Sequence, residues 1–334
     1  MDLKDKKILV TGGAGFIGSH ICEKLVSLGS SVTILDDLST GKEKNIASIK
    51  DKIKFIKGSV EDYRTVLNST KKIDYVIHQA FPYGRSGMGL DEQYTEAGVI
   101  GTFNVLKASV INGVKKVVNA SSVAAYGIPK YTPLDEKHPT NPFLPYGATK
   151  IVGELYCKTF SNLYTIDTIS LRYFYVYGAR YAQFDHSAMV NFLIRSVRGE
   201  DLIIYGNGSQ IRDYTYIDDI VNGTLLALLK ENSLGTVYNI SGGDGITILD
   251  LAKKIKKLVN KKSSIKFAGN AEYRFSDKYN KIPIGLTTKV GGKWIDERNY
   301  IGNISLAKKE LGYKPKIKID DGIQRTANWL KSIM

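Results

Sequence analysis

Cysteine is almost missing from this chain, with Cys22 and Cys157 the only two in 334 residues. Both fall in segments with helical patterning, which excludes a disulfide framework and leaves them as small buried residues. Histidine is scarce too, four in all. His138, in Asp135-Glu136-Lys137-His138-Pro139, and His186, in Asp185-His186-Ser187, have no partner at a metal-ligand spacing, so no metal site is expected. No apolar run approaches the roughly 18 residues that a membrane span requires. Residues 1–7 lead into a strand without an apolar targeting segment or cleavage site, and the expectation is a cytoplasmic protein with no membrane partner. Acidic residues are outnumbered, 33 against 47 basic ones, for a formal net charge of +14. The excess is spread as lysine pairs from Lys6-Lys7 to Lys308-Lys309, densest over 252–266, with no basic tail. That spread describes solvated helix faces and argues against nucleic-acid binding, while still attracting a ligand that carries phosphates. Internal repeats and low-complexity linkers are absent, and a hydrophobic content of 43% suits a chain with a large core.

What the chain does have is Gly12-Gly13-Ala14-Gly15-Phe16-Ile17-Gly18, placed between an apolar strand, Lys7–Thr11, and an amphipathic helix. Gly12 permits the tight turn, Gly15 lets the backbone approach a ligand, and Gly18 lets the helix pack closely on the strand. The helix N-terminus then offers unpaired N–H groups to a pyrophosphate. A second strand, Ser31–Leu35, ends in Asp36, whose carboxylate is placed to accept hydrogen bonds from ribose hydroxyls and to repel a 2′-phosphate. No arginine lies in the following Asp37-Leu38-Ser39-Thr40-Gly41-Lys42, although Lys42 could reach back. NAD is expected rather than NADP.

Strand and helix patterns alternate through the first half: strands near 53–56, 74–78, 116–120 and 168–172, with helices near 91–112 and after Tyr146. This rhythm predicts an α/β fold, a doubly wound parallel sheet with right-handed crossovers. Beyond about residue 178 the rhythm loosens, which suggests a smaller α+β C-terminal lobe closing over the carboxyl ends of the strands. The expected division is a dinucleotide-binding domain over 1–177 and a mainly substrate-binding lobe over 178–334, with some segments returning to the sheet.

The strand near 116–120 runs into Ser121-Ser122-Val123-Ala124, and Pro145-Tyr146-Gly147-Ala148-Thr149-Lys150 follows later. Tyr146 and Lys150 share a helix face. An ammonium beside a phenol favours the phenolate, and Ser122 at a strand end could bind the same substrate oxygen. Around a nicotinamide, this trio would move a proton off an alcohol as its carbon gives up hydride.

With these residues in place the chain resembles the extended short-chain dehydrogenases/reductases of the nucleotide-sugar epimerase and dehydratase group, whose core is a Rossmann-type sheet. The resemblance rests on TGGAGFIG at 11–18, the Ser122/Tyr146/Lys150 set, LRYFYVYG at 171–178, GNGSQIRDY at 206–214 and LGYKPKI at 311–317. It implies that Tyr146 is the catalytic base and acid, that Lys150 tunes it and binds the nicotinamide ribose, and that Ser122 orients the substrate hydroxyl. It further implies NAD contacts from Gly12, Gly15, Phe16, Ile17, Gly18, Asp36, Ser59, Val60 and Ala80, and a diphosphate contact from Arg212. For Arg172 a ligand contact and an ion pair at a strand end stand level. Arg85 and Tyr83, after the fourth strand, and Lys293, Asp296 and Tyr300, in a late loop, are candidate pocket residues. A homodimer through the helices around 91–112 and 146–165 would be usual for the family.

The chain departs from the family pattern in several places. Ser59 follows Gly58 where an Asp is often found, Gly98 stands where an Asn is usual, and Tyr175 replaces an Asn expected to touch substrate. Phe81, in His78-Gln79-Ala80-Phe81, replaces a small residue and narrows the space near the nicotinamide or pyrophosphate. Relatives that dehydrate the sugar carry an Asp-Glu pair at the positions of Val123 and Ala124, and relatives that decarboxylate carry Glu at Ala124. With both positions apolar, the expected reaction is 4-epimerisation of a nucleotide-diphosphate sugar, UDP-linked by family default, with NAD retained. A reductase, a 2-epimerase, a dehydratase or a decarboxylase on the same scaffold is the alternative, and a non-catalytic NAD sensor is a more distant one.

Overall fold

Side-chain burial along the first strands shows how the sheet is covered on both faces. In β1 (Lys7–Thr11), Ile8 and Val10 join one apolar cluster while Leu9 joins another. The alternation repeats in β2 (Ser31–Asp36), with Val32 and Ile34 on one side and Leu35 on the other. Successive side chains of a strand point to opposite faces, so a strand apolar at both sets of positions must be covered twice. The computed structural model describes residues 3–82, 92–181, 187–268 and 298–334.

The two strands belong to a seven-stranded sheet that also holds β3 (Ile53–Lys57), β4 (Tyr75–His78), β5 (Lys116–Ser122), β6 (Asp167–Tyr173) and, from much later in the chain, β11 (Thr236–Ile240). The spatial order is β11-β6-β5-β4-β1-β2-β3 and every pairing is parallel. Strand order therefore reverses between β1 and β4, which opens a crevice at the carboxyl ends of the strands. Helices α1 (Phe16–Ser27) and α7 (Ile217–Leu229) lie together on one face. The other face carries α2 (Tyr63–Ser69), α4 (Thr102–Ile111) and α5 (Pro145–Leu163). Pro145 occupies the first turn of α5, where its missing N–H costs no hydrogen bond.

The helix expected near 91–112 is present but not uniform. A short α3 (Glu92–Thr95) passes through a π-helical stretch, Glu96–Gly101, before α4 begins. The wider turn sets the backbone of Gly98 close to Phe81 and Thr149.

After β6 the described residues build three two-stranded sheets. They pair β7 (Val176–Tyr177) with β10 (Thr215–Tyr216), β8 (Leu202–Tyr205) with β13 (Ile265–Ala268), and β9 (Ile211–Arg212) with β12 (Ile246–Thr247). Helices α6 (Ala188–Arg198), α8 (Ile248–Leu258), α9 (Ser305–Leu311) and α10 (Ile319–Ile333) accompany them. Asp213 ties this lobe to the sheet. Its carboxylate accepts the backbone N–H of Gly242 and Gly243, just past β11, and of Gly302, at 3.0–3.1 Å. Burial nonetheless pushes this carboxyl up, to about 6.

Candidate active site

The glycine turn folds as its spacing requires. Gly12 has φ +67°, and a Cβ there would lie 2.7 Å from the backbone nitrogen of Ala80. A Cβ on Gly18 would fall 2.1 Å from the Gly12 carbonyl oxygen. Strand, turn and α1 are thus held in contact that only glycine permits, and the N-terminus of α1 opens on the crevice. Asp36 sits at the end of β2 with one oxygen accepting the Ala14 N–H at 2.9 Å and the other the Leu38 N–H at 2.8 Å. Each oxygen keeps a second lone pair, so the carboxylate still suits two ribose hydroxyls. These residues fit a dinucleotide.

A cleft of about 730 Å³ runs from this cradle across to the C-terminal lobe. It is lined by Gly12, Gly15, Phe16, Ile17, Gly18 and Asp36 at one end, with Ser59, Val60 and Ala80 beside them. Ser122, Tyr146 and Lys150 lie in its middle, and Tyr175, Arg212 and Tyr300 at the far end. Arg85, Tyr83, Lys293, Asp296 and His186 lie outside the described residues.

Ser122 ends β5 and caps the short turn that follows, its hydroxyl accepting the Ala124 N–H at 3.2 Å. The same hydroxyl hydrogen-bonds the Tyr146 phenol and favours its ionised form. Burial works against this and dominates, pushing the phenol up to about 12. The direction is opposite to that expected from Lys150 alone. Lys150 donates instead to the Ala120 carbonyl at 2.9 Å, with its Nζ 5.7 Å from the Tyr146 ring centre. Burial pulls the ammonium down to about 8, opposed by the Glu154 carboxylate. Val123 and Ala124 meet the cleft with apolar side chains.

At the far end Arg212 is buried among rings, its guanidinium carbon 5.4 Å from the Tyr175 ring centre and 5.3 Å from that of Tyr300. Tyr175 holds φ +26°, a backbone conformation that a bulky residue rarely adopts. Arg298, which sequence reasoning missed in favour of Lys293 and Asp296, also lines the cleft, 4.2 Å over Phe143 and 5.7 Å from Tyr300. No local pattern marks it, since its placement depends on the backbone of Tyr300 pairing with Ile211 and Asp213. Arg172 is the ion pair and not the ligand contact. It binds Glu154 through two nitrogens at 2.8 and 2.6 Å and stacks 4.4 Å over Tyr126.

His138 is structural, accepting the Lys130 N–H at 2.9 Å and donating to the Pro139 carbonyl at 2.8 Å. Among the described residues no group of His, Cys, Asp or Glu could hold a metal, and no helix is long and apolar enough to cross a membrane. Cys22 and Cys157 are buried thiols inside α1 and α5.

A parallel sheet with a glycine cradle at its switch point and a serine, tyrosine and lysine in the adjoining cleft defines a dinucleotide-dependent enzyme that works at an alcohol or ketone. Comparison with known proteins agrees: the NAD dependent epimerase/dehydratase family matches residues 8–241. The chain belongs to this family of NAD-dependent nucleotide-sugar epimerases and dehydratases. A putative UDP-glucose 4-epimerase of Methanocaldococcus jannaschii is 36% identical over 97% of this chain and 98% of its own length. A UDP-N-acetyl-alpha-D-glucosaminuronate decarboxylase of Bacillus cytotoxicus is 30% identical over 98% of each. Among solved structures, the UDP-N-acetylglucosamine 4-epimerase of Methanobrevibacter ruminantium superposes with a TM-score of 0.86 at 30% identity, covering 99% of this chain and 100% of that one.

Proposed function

We propose that the protein is a nucleotide-sugar 4-epimerase acting on a UDP-linked sugar. The observation that carries this reading is the pair Val123 and Ala124, apolar and facing the cleft beside a complete Ser122, Tyr146 and Lys150 set. Eliminating water from a sugar needs an acid and a base beyond the tyrosine. Neither position supplies one, which favours oxidation and re-reduction at a single carbon. NAD, when bound, supplies the reversible hydride exchange. Tyr146 takes the C4 hydroxyl proton and returns it, Ser122 orients that hydroxyl, and Lys150 holds positive charge beside the developing alkoxide. Arg212 and Arg298 offer two cations to the diphosphate at the far end of the cleft. The reading has support from the UDP-sugar epimerases among the relatives, and the decarboxylase at 30% identity keeps decarboxylation as its rival.

The test is to incubate the protein with UDP-, dTDP-, GDP- and CDP-sugars and trace NAD, and to identify products by mass spectrometry and proton NMR. A stereoisomer of unchanged mass inverted at C4 is the expected product. Loss of carbon dioxide or water would overturn the reading.

The homodimer belongs to the same proposal. Ile100, Phe103 and Ile111 on one helical rod and Leu155 and Leu163 on the neighbouring α5 are exposed, Leu163 by 68%. An apolar patch of this kind on paired helices suits a second copy of the chain. Leu163→Glu should shift the mass measured by light scattering towards that of one chain, and a wild-type mass of one chain would remove the proposal.

A further inference from the structure

Two departures from the family pattern, Phe81 and Gly98, meet in space. A Cβ on Gly98 would lie 2.8 Å from Cε2 of Phe81 and 2.9 Å from Cβ of Thr149. The two positions share one volume: the Phe81 ring occupies space that a side chain at position 98 would need. The ring packs edge-on against Tyr94 at 5.0 Å and 86°, and against Tyr146 at 5.0 Å and 62°. Its face carries the Lys150 ammonium, Nζ lying 4.5 Å from the ring centre.

We propose that Phe81 is a positioning residue that seats the charged Lys150 ammonium on its π face, and that Gly98 is the residue that makes room for it. The proposal rests on the reading of Tyr146 and Lys150 as the proton-handling pair. An ammonium taken out of water loses hydration, and an aromatic face returns part of that stabilisation through its quadrupole. Among the described residues, other groups also surround Lys150. Tyr146 and Glu154 share α5 with it, Tyr94 on α3 meets the Tyr146 ring, and the Ala120 carbonyl on β5 accepts a hydrogen bond from it. His78, on β4, is held neutral by burial between Thr11 and Thr102, pulled down to about 3. Glu154 favours the ammonium but is also engaged by Arg172 and Ser121. The Phe81 ring therefore meets the ammonium from outside α5 and β5.

The experiment needs no substrate. The protein is produced with lysine carrying carbon-13 at Cε, and the Lys150 signal is assigned by its loss in Lys150→Met. Most lysines titrate near pH 10.4, so a site near pH 8 stands apart. In Phe81→Leu, which keeps apolar bulk but loses the π face, the midpoint should fall by about 0.4–1.5 pH units, the equivalent of a cation–π contact. Phe81→Tyr should hold it. An unmoved midpoint in Phe81→Leu would reduce Phe81 to packing and overturn the proposal. In parallel, Gly98→Ala should lower the melting temperature more in the wild type than in Phe81→Ala, whereas additive effects would overturn the steric half. Failure of the acid–base reading looks different: Tyr146→Phe would then turn over normally, whatever the Lys150 midpoint did.

Discussion

Burial and charge oppose each other at Tyr146 and Lys150. The phenol is pushed up to about 12 and the ammonium pulled down to about 8, each by loss of water around its charged form. At neutral pH, before ligands bind, the pair is therefore phenol and ammonium, and Tyr146 accepts a substrate proton only once its own has left, an ionisation that the Ser122 hydroxyl favours. Removing the hydroxyl with Tyr146→Phe should lower kcat by about 10²–10⁴, the usual contribution of a placed acid–base group, and leave the melting temperature nearly unchanged. The pH dependence follows in sign from Lys150. Below about 8 it is charged, above that it is neutral, so turnover should fall as pH rises through that value. A kcat profile flat from pH 7 to about 9.5 would show that the ammonium is not required.

At the scale of elements, the close approach of α1 to β1 is the least forgiving join. Gly18→Ala would set its methyl against the Gly12 carbonyl and the Gly13 Cα, backbone atoms that cannot swing aside. The expected loss is about 2–3 kcal/mol of stability with NAD binding weakened as well, read from urea midpoints and calorimetry. Gly113 provides the contrast, since it has φ +67° but nothing within 4 Å of an added Cβ. Gly113→Ala should cost only the left-handed backbone term, about 1–2 kcal/mol, without touching cofactor affinity.

Across the whole molecule a buried polar network joins α5 to the C-terminal lobe. Ser121 donates to Glu154, and Glu154 holds Arg172, which stacks on Tyr126. The Tyr126 hydroxyl donates to Asn239 at 2.6 Å, and Asn239 donates in turn to the carbonyls of Leu134 and Asn303. Glu154→Ala would leave a buried guanidinium without its partner and should cost about 3–5 kcal/mol, measured by chemical denaturation. Replacing both members, as in Glu154→Leu with Arg172→Met, should cost less than the single change, because the buried guanidinium is removed along with its carboxylate.

Much of the fold and site was legible in the chain because the signals are local. Strand and helix periods, the glycine turn before α1, Asp36 at a strand end, the four-residue spacing of Tyr146 and Lys150, and the apolar Val123-Ala124 pair all lie within a turn or a strand of one another. The sequence by itself determined the parallel sheet, the glycine turn that opens α1, and the serine, tyrosine and lysine that line the cleft. Only the tertiary structure decided which distant residues meet. Arg172 found Glu154, Arg298 reached the cleft through the backbone of Tyr300, and Asp213 joined three loops. Phe81, which the sequence marked only as narrowing the pocket, came to rest on Lys150 in space left open by Gly98. No periodicity encodes such contacts. They follow from strand order and from a π-helical turn that sets Gly98 against Phe81, and both are settled only when the packed faces close.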